Sequence, residues 1–138
     1  MLFRSGRSTS GYVIKMGTGA VSWSSRLQSL VALSTTEAEF VAAASAGQEM
    51  LWLWNLLTEF GYDVSSASKL RIDNLSALSV AKNPEHHDLC FYWLRDEVVK
   101  GRIEIEHLQT SDMPADILTK SLPKPKVLEM VKMLGLRT

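Results

Sequence analysis

One mixed α/β domain is the fold this sequence predicts, and three features predict it. Two β-rich stretches, Gly11 to Lys15 and Ala20 to Ser25, flank Gly17-Thr-Gly19, the pattern of a hairpin. A long helical pattern follows from Ser34 to Phe60. Two short alternating runs, Lys69 to Ile72 and Arg102 to Leu108, then interleave with further helical stretches. The 138 residues, 46% of them hydrophobic, suit a single domain over 1–138 with one core.

Each element has its own physical justification. The hairpin glycines supply backbone angles that other residues resist. Ser34 with Glu37 makes a capping box, in which hydroxyl and carboxylate satisfy orphan amides of the first helical turn. Gly61 is a C-terminal cap. The strand Lys69 to Ile72 delivers Asp73 at its end. Asn74 to Lys82 reads as a short helix stopped by Asn83-Pro84. Asp88 caps a third helix running to Gly101. Arg102 to Leu108 alternates as a strand with one buried face. Asp112-Met-Pro-Ala opens a further helix, and an amphipathic helix from about Lys126 to Leu134 ends at Gly135.

Charge and cysteine content narrow the function classes. Formal net charge is zero, so no global field draws the chain to nucleic acid or membrane. Locally, residues 1–36 hold Arg4, Arg7, Lys15 and Arg26 and no acid, which suits either a phosphate backbone or solvent. The lone Cys90 between Leu89 and Phe91 forms no internal disulfide and reads as a buried structural thiol. No apolar run approaches the roughly 20 residues that span a bilayer. Met-Leu-Phe-Arg at the start is too short for a signal peptide. The expectation is an intracellular protein, cytoplasmic or nuclear, with no membrane partner.

Four acids are candidates for chemistry: Glu37, Glu39, Asp73 and Asp116. Gathered carboxylates can hold two divalent ions about 4 Å apart, which clamp the attacking and leaving oxygens of a phosphodiester. Hard oxygen ligands favour Mg²⁺ or Mn²⁺. Structural roles compete with this reading. Glu37 is explained by the capping box, Asp73 could cap the following helix, and Asp116 lies in a first helical turn where the dipole favours an acid. Glu39 heads the apolar stripe Ala43, Ala46, Met50, Leu53 and Leu57, whereas Glu37 lines up with Gln48 and Asn55. An acid on a buried stripe needs a partner, and a metal ion would serve. His86, His87 and His107 with one cysteine lack zinc-ligand spacing. The pair reads as solvated loop, and His107, in phase with Ile103 and Ile105, as a satisfied core histidine. Trp52 and Trp54 read as core or interface.

Five blocks carry a resemblance: Ser8-Thr-Ser-Gly-Tyr-Val13, Val21-Ser-Trp-Ser-Ser25, Ala32 to Ala43, Ile72-Asp-Asn-Leu-Ser-Ala77 and Ala115-Asp-Ile-Leu-Thr-Lys120. In this order and spacing they resemble the ribonuclease H domain of copia-type retrotransposon Pol polyproteins. The resemblance implies a ribonuclease H-like mixed sheet flanked by helices and hydrolysis of the RNA strand of RNA–DNA hybrids. It implies Glu39, Asp73 and Asp116 as catalytic metal ligands, with two Mg²⁺ or Mn²⁺ ions as cofactors. It implies the hybrid and the reverse transcriptase domain of the same polyprotein as partners.

Two departures qualify the resemblance. The family's first catalytic aspartate lies on an opening strand ahead of the Arg-Ser-Thr-Ser-Gly-Tyr block, and here no acid precedes Glu37. The chain thus reads as an N-terminally truncated copy, lacking the first strand and a fourth carboxylate, with weak or absent activity. Only Glu85 stands between Pro84 and His86, where the family has a longer basic insert, so contacts to the hybrid are reduced. A missing central strand would expose edges and invite self-association. Two other readings are a non-catalytic nucleic-acid-binding or interaction module that keeps the fold, and a different ribonuclease H-like nuclease such as an integrase or resolvase.

Overall fold

The computed structural model describes residues 6–29, 31–82 and 89–137. A turn at Gly17 joins β1 (Thr9–Met16) to β2 (Gly19–Leu27) in an antiparallel pair that slips register between Ile14 and Lys15. Beyond the hairpin, α1 (Thr35–Glu59) starts as its sequence dictates. Ser34 is extended, its Oγ accepts from the Glu37 amide at 3.1 Å, and Glu37 Oε2 accepts from the Leu33 amide at 2.6 Å. The box closes one residue earlier than the usual pattern, but Glu37 is committed to it. Gly61, at φ +82°, ends the helix by donating to Thr58 O while Tyr62 donates to Leu57 O.

The second half pairs β3 (Ser68–Ile72) in parallel with β4 (Ile103–His107), joined through α2 (Leu75–Lys82) and α3 (Leu89–Val99). A parallel pair needs such a helical crossover. The strands bury Leu70, Ile72 and Ile103 against Phe40, Ala43 and Ala46 of α1, Ala77 of α2 and Leu94 of α3. Glu97 of α3 is 2% exposed and lies 2.7 Å from Arg102 Nε, the one ionised pair sunk into this layer among the described residues. The chain closes on α4 (Lys124–Met133), whose Leu134 O accepts from Ala20 N. Gly135 (φ +74°) brings α4 so close to the hairpin that a Cβ there would lie 2.2 Å from Thr18 O.

The expected mixed sheet is therefore present in two halves, an antiparallel pair β1–β2 and a parallel pair β3–β4, with no strand bonded between them among the described residues. With four helices around it, the arrangement is α/β and compatible with a ribonuclease H-like fold. No described helix is long and apolar enough to cross a membrane.

Three local expectations need correction. The segment after Asp112 forms two 3₁₀ turns, Thr110–Asp112 and Pro114–Leu118, instead of an α-helix. Asp112 does not cap the second turn, which begins at Met113 with no side-chain cap. His107 is exposed, not core, because β4 ends there and its ring runs past the buried layer. Trp52 is exposed and Trp54 is half-buried, with Nε1 donating to Val64 O at 2.7 Å. The expectations for Met1 to Ser5, Asn83-Pro84, His86, His87 and the Asp88 cap, and for burial of the Cys90 thiol, lie outside the described residues.

Candidate functional site

Three chain segments far apart in sequence bring Glu39, Asp73 and Asp116 together. Glu39 stands in the first turns of α1, on the stripe that continues through the buried Ala43 and Ala46. Gln48 and Asn55, in line with Glu37, are exposed, so the helix phase assigned from the sequence is correct. Asp73 follows the last residue of β3. It is not the cap of α2, because Asn74 Oδ1 takes the Ala77 amide at 3.0 Å. Asp116 is 8% exposed in the turn Pro114–Leu118.

The proximity of the three acids shows in their electrostatics. Burial pushes the Glu39 carboxyl above its ordinary value, and the charges of Asp73 and Asp116 push it the same way against the opposing Lys120. Lys120 Nζ lies 3.0 Å from Asp116 Oδ2 and 3.9 Å from Asp73 Oδ2. Burial alone would lower the Lys120 ammonium, but the hydrogen bond and charge of Asp116, with Asp73 and Glu39, outweigh it and hold the group above its ordinary value. Around Asp73, Thr110 Oγ1 donates to Oδ2 at 3.4 Å and His107 Nε2 lies 3.2 Å from the main-chain oxygen.

Lys120 is the residue that the acid-centred reading of the sequence passed over. Its signal was present, since an Asp and a Lys four apart face each other on one helical turn. In kind, the donor set suits a hard divalent cation: three carboxylates, all oxygen, with a net charge of minus two once Lys120 is counted. In geometry it is not closed. Among the described residues no three acidic, histidine or cysteine side chains converge tightly enough to hold an ion, and the ammonium of Lys120 sits between Asp73 and Asp116.

The acids stand at one end of a cavity of 1040 Å³. Its walls are β1 and β3 and its floor is α1, with Ala42, Ala46, Met50, Leu53 and Leu57 reaching into it. This space arises from the gap between the two strand pairs.

No family model matches the chain, and no solved structure does. Among curated proteins it is similar to the retrovirus-related Pol polyprotein from transposon TNT 1-94 of Nicotiana tabacum, 36% identical over 96% of this chain and 10% of the relative. The corresponding polyproteins from transposons RE2 and RE1 of Arabidopsis thaliana are 36% and 33% identical over 85% and 93% of this chain, and 8% and 9% of the relatives. The chain spans about a tenth of the length of the relatives it matches. Over most of its length it is thus homologous to one segment of the retrovirus-related Pol polyproteins of plant transposons.

Proposed function

We propose that the chain is a ribonuclease H domain of a retrotransposon Pol polyprotein, built to act on the RNA strand of RNA–DNA hybrids, with its three acids set more openly than an ion needs. One observation carries the reading. Glu39, Asp73 and Asp116 converge from three separate segments, while the structural duties nearby fall to other residues, Glu37 in the helix box and Asn74 at the cap of α2. Partly buried like charges gathered without a structural role support the reading of a functional site. The chain spans about a tenth of the Pol polyproteins it matches, which supports a reverse transcriptase domain of the same polypeptide as its neighbour.

In this reading Glu39, Asp73 and Asp116 would hold Mg²⁺ or Mn²⁺. The ions would supply Lewis-acid stabilisation of charge developing on the phosphodiester. Thr110 and His107 fix Asp73 from its two sides. Lys120 pairs with Asp116 and would offer its positive charge to a phosphate oxygen. Hybrid shape and 2′-hydroxyls would select the substrate, since sequence contacts are not needed for it.

The open geometry of the three acids and the Lys120 ion pairs favour a second reading, a binding module that keeps the fold without the chemistry. Cleavage of a labelled hybrid separates the two. The first reading expects cleavage close to background with Mg²⁺, a weak Mn²⁺-dependent activity that Asp73→Asn abolishes, and recovery when an upstream strand bearing an aspartate is joined to the chain. Hybrid binding without cleavage in every case, the extended chain included, supports the module.

A further inference from the structure

β2 has one edge against β1 and a second that no described strand covers. Gln28 N donates to Ser8 O at 2.8 Å, and the register pairs Ser10 with Arg26, Tyr12 with Ser24 and Ile14 with Ser22. Alternate residues of an antiparallel ladder bond the partner, so Ser22, Ser24 and Arg26 face β1. The amides and carbonyls of Trp23, Ser25 and Leu27 face outward. The free edge has defined ends: Ala20 N donates to Leu134 O at one, and Gln28 turns back to Ser8 at the other. It therefore runs from Val21 to Leu27, with Ser24 at its middle.

Edge strands are ordinarily guarded by charge, by proline or by shortness. β4, which also borders a strand pair, has five residues and carries Glu104 and Glu106, the second paired with Lys69 and Arg71 at 2.8 and 3.4 Å. β2 has nine residues, no acid and no proline. Val21, Trp23 and Leu27 are 47%, 64% and 42% exposed on one face of it. Side chains of the other face meet α1: Glu49 Oε1 accepts from Ser22 Oγ at 2.9 Å, and Gln28 Nε2 donates to Ala38 O. Trp52, three residues beyond Glu49, stands on the same flank of α1 and is 56% exposed. The opposite flank, at Gly47, lies against Leu94 and Trp93 of α3.

We propose that the free edge of β2 is the contact of a two-fold dimer, in which it pairs antiparallel with the same edge of a second copy of this chain. Full overlap of the two edges fixes the register, with Ser24 opposite Ser24. Val21 then lies opposite Leu27 of the other copy and Trp23 opposite Ser25, so each large apolar side chain on the exposed face meets an apolar or a small one. On the other face Arg26 lies opposite Ser22, the residue that holds Glu49. Neither Arg26 nor Glu49 has an ion pair among the described residues. The two-fold axis thus makes reciprocal ion pairs between Arg26 of each copy and Glu49 of the other, with no like charges opposed. Trp52, beside Glu49, offers its ring to the same guanidinium. This charge complementarity selects a second copy over an unrelated strand. An isologous contact uses up the edge in both copies, so association stops at the dimer.

The test follows the purified full chain in chelator by sedimentation equilibrium from about 1 μM to about 1 mM, with hydrogen exchange measured at both extremes. The proposal expects a reversible monomer–dimer equilibrium and slower exchange in the dimer at the amides of Trp23, Ser25 and Leu27. Exchange at Ser24 and Arg26, which are bonded to β1 in both states, stays unchanged. Arg26→Glu and Glu49→Arg should each weaken the dimer at least about tenfold, and the double variant, with the charges exchanged, should recover it to within about threefold. Ser25→Pro removes an outward donor and leaves the ladder to β1 intact, and it should abolish dimerisation. If that variant fails to fold, the charge exchange decides alone. A chain that is monomeric throughout the range, an oligomer larger than a dimer, or a dimer indifferent to Arg26→Glu would overturn the proposal. So would a double variant that dimerises no more tightly than the single ones. None of these readouts depends on metal binding or hybrid cleavage, so the nuclease reading stands or falls separately.

Discussion

Removing the Lys120 ammonium with Lys120→Met separates a structural counter-ion from a competitor of metal. The ammonium is 3.0 Å from Asp116 Oδ2, and the Asp116 side chain is 11% exposed while that of Lys120 is 45% exposed. At an effective dielectric of about 20, a contact at this distance is worth about 5 kcal/mol before desolvation. The exposure of Lys120 discounts it steeply, towards the 0.2–1 kcal/mol of exposed pairs, and burial of the acid raises it again, to about 1–2 kcal/mol. A divalent ion that takes Asp116 must displace this contact. Its removal should then tighten Mn²⁺ binding by about 5- to 30-fold, at about 1.4 kcal/mol per tenfold. Without metal the same variant should be less stable by about 1–2 kcal/mol, because three carboxylates lose their one cation. Titration calorimetry with Mn²⁺ and urea unfolding in chelator read the two effects. Unchanged or weaker Mn²⁺ binding in a folded Lys120→Met protein would refute the competition.

Three other outcomes follow from the same structure. Glu39 has a raised carboxyl, so the folded state holds its proton more tightly; its contribution to stability is full below the ordinary value of 4.5 and is lost as pH rises through the raised value. Glu39→Gln should therefore raise the metal-free melting temperature at pH 7 by a few degrees, about 1 kcal/mol or less for a half-exposed group, with the gain vanishing below pH 4.5. Arg102→Met leaves the buried Glu97 without its 2.7 Å partner and should cost about 2–4 kcal/mol in urea unfolding, most of it recovered in the double variant with Glu97→Met. Gly135→Ala combines a left-handed backbone with a Cβ 2.2 Å from Thr18 O, and should cost at least about 2 kcal/mol by loosening α4 from the hairpin.

How much was legible from the residues depends on whether the signal was local. The hairpin, the start of α1 at Ser34 and its end at Gly61 are set by a few neighbouring side chains, and they stand where the sequence put them. The phase of α1 was legible too, because Glu39 heads a stripe of apolar residues at helical spacing. The 3₁₀ turns after Thr110 were not. A proline and a cap-like aspartate suit several kinds of turn, and contact with β1 settles which: a Cβ on Gly11 would lie 2.5 Å from Thr119 Cγ2. His107 misled because alternation gives the face of a strand and not how far the buried layer extends along it. The pairing of Lys120 emerges only from tertiary placement, at the meeting of three segments.

Mn²⁺ binding by the purified chain, followed by electron paramagnetic resonance, tests the three-acid site most directly. The site assignment predicts saturable binding that Glu39→Gln, Asp73→Asn and Asp116→Asn each weaken by at least about tenfold, while Glu37→Gln, whose side chain serves the helix box, leaves it unchanged. Binding that survives all three substitutions, or that is lost with Glu37→Gln in a folded protein, would contradict it.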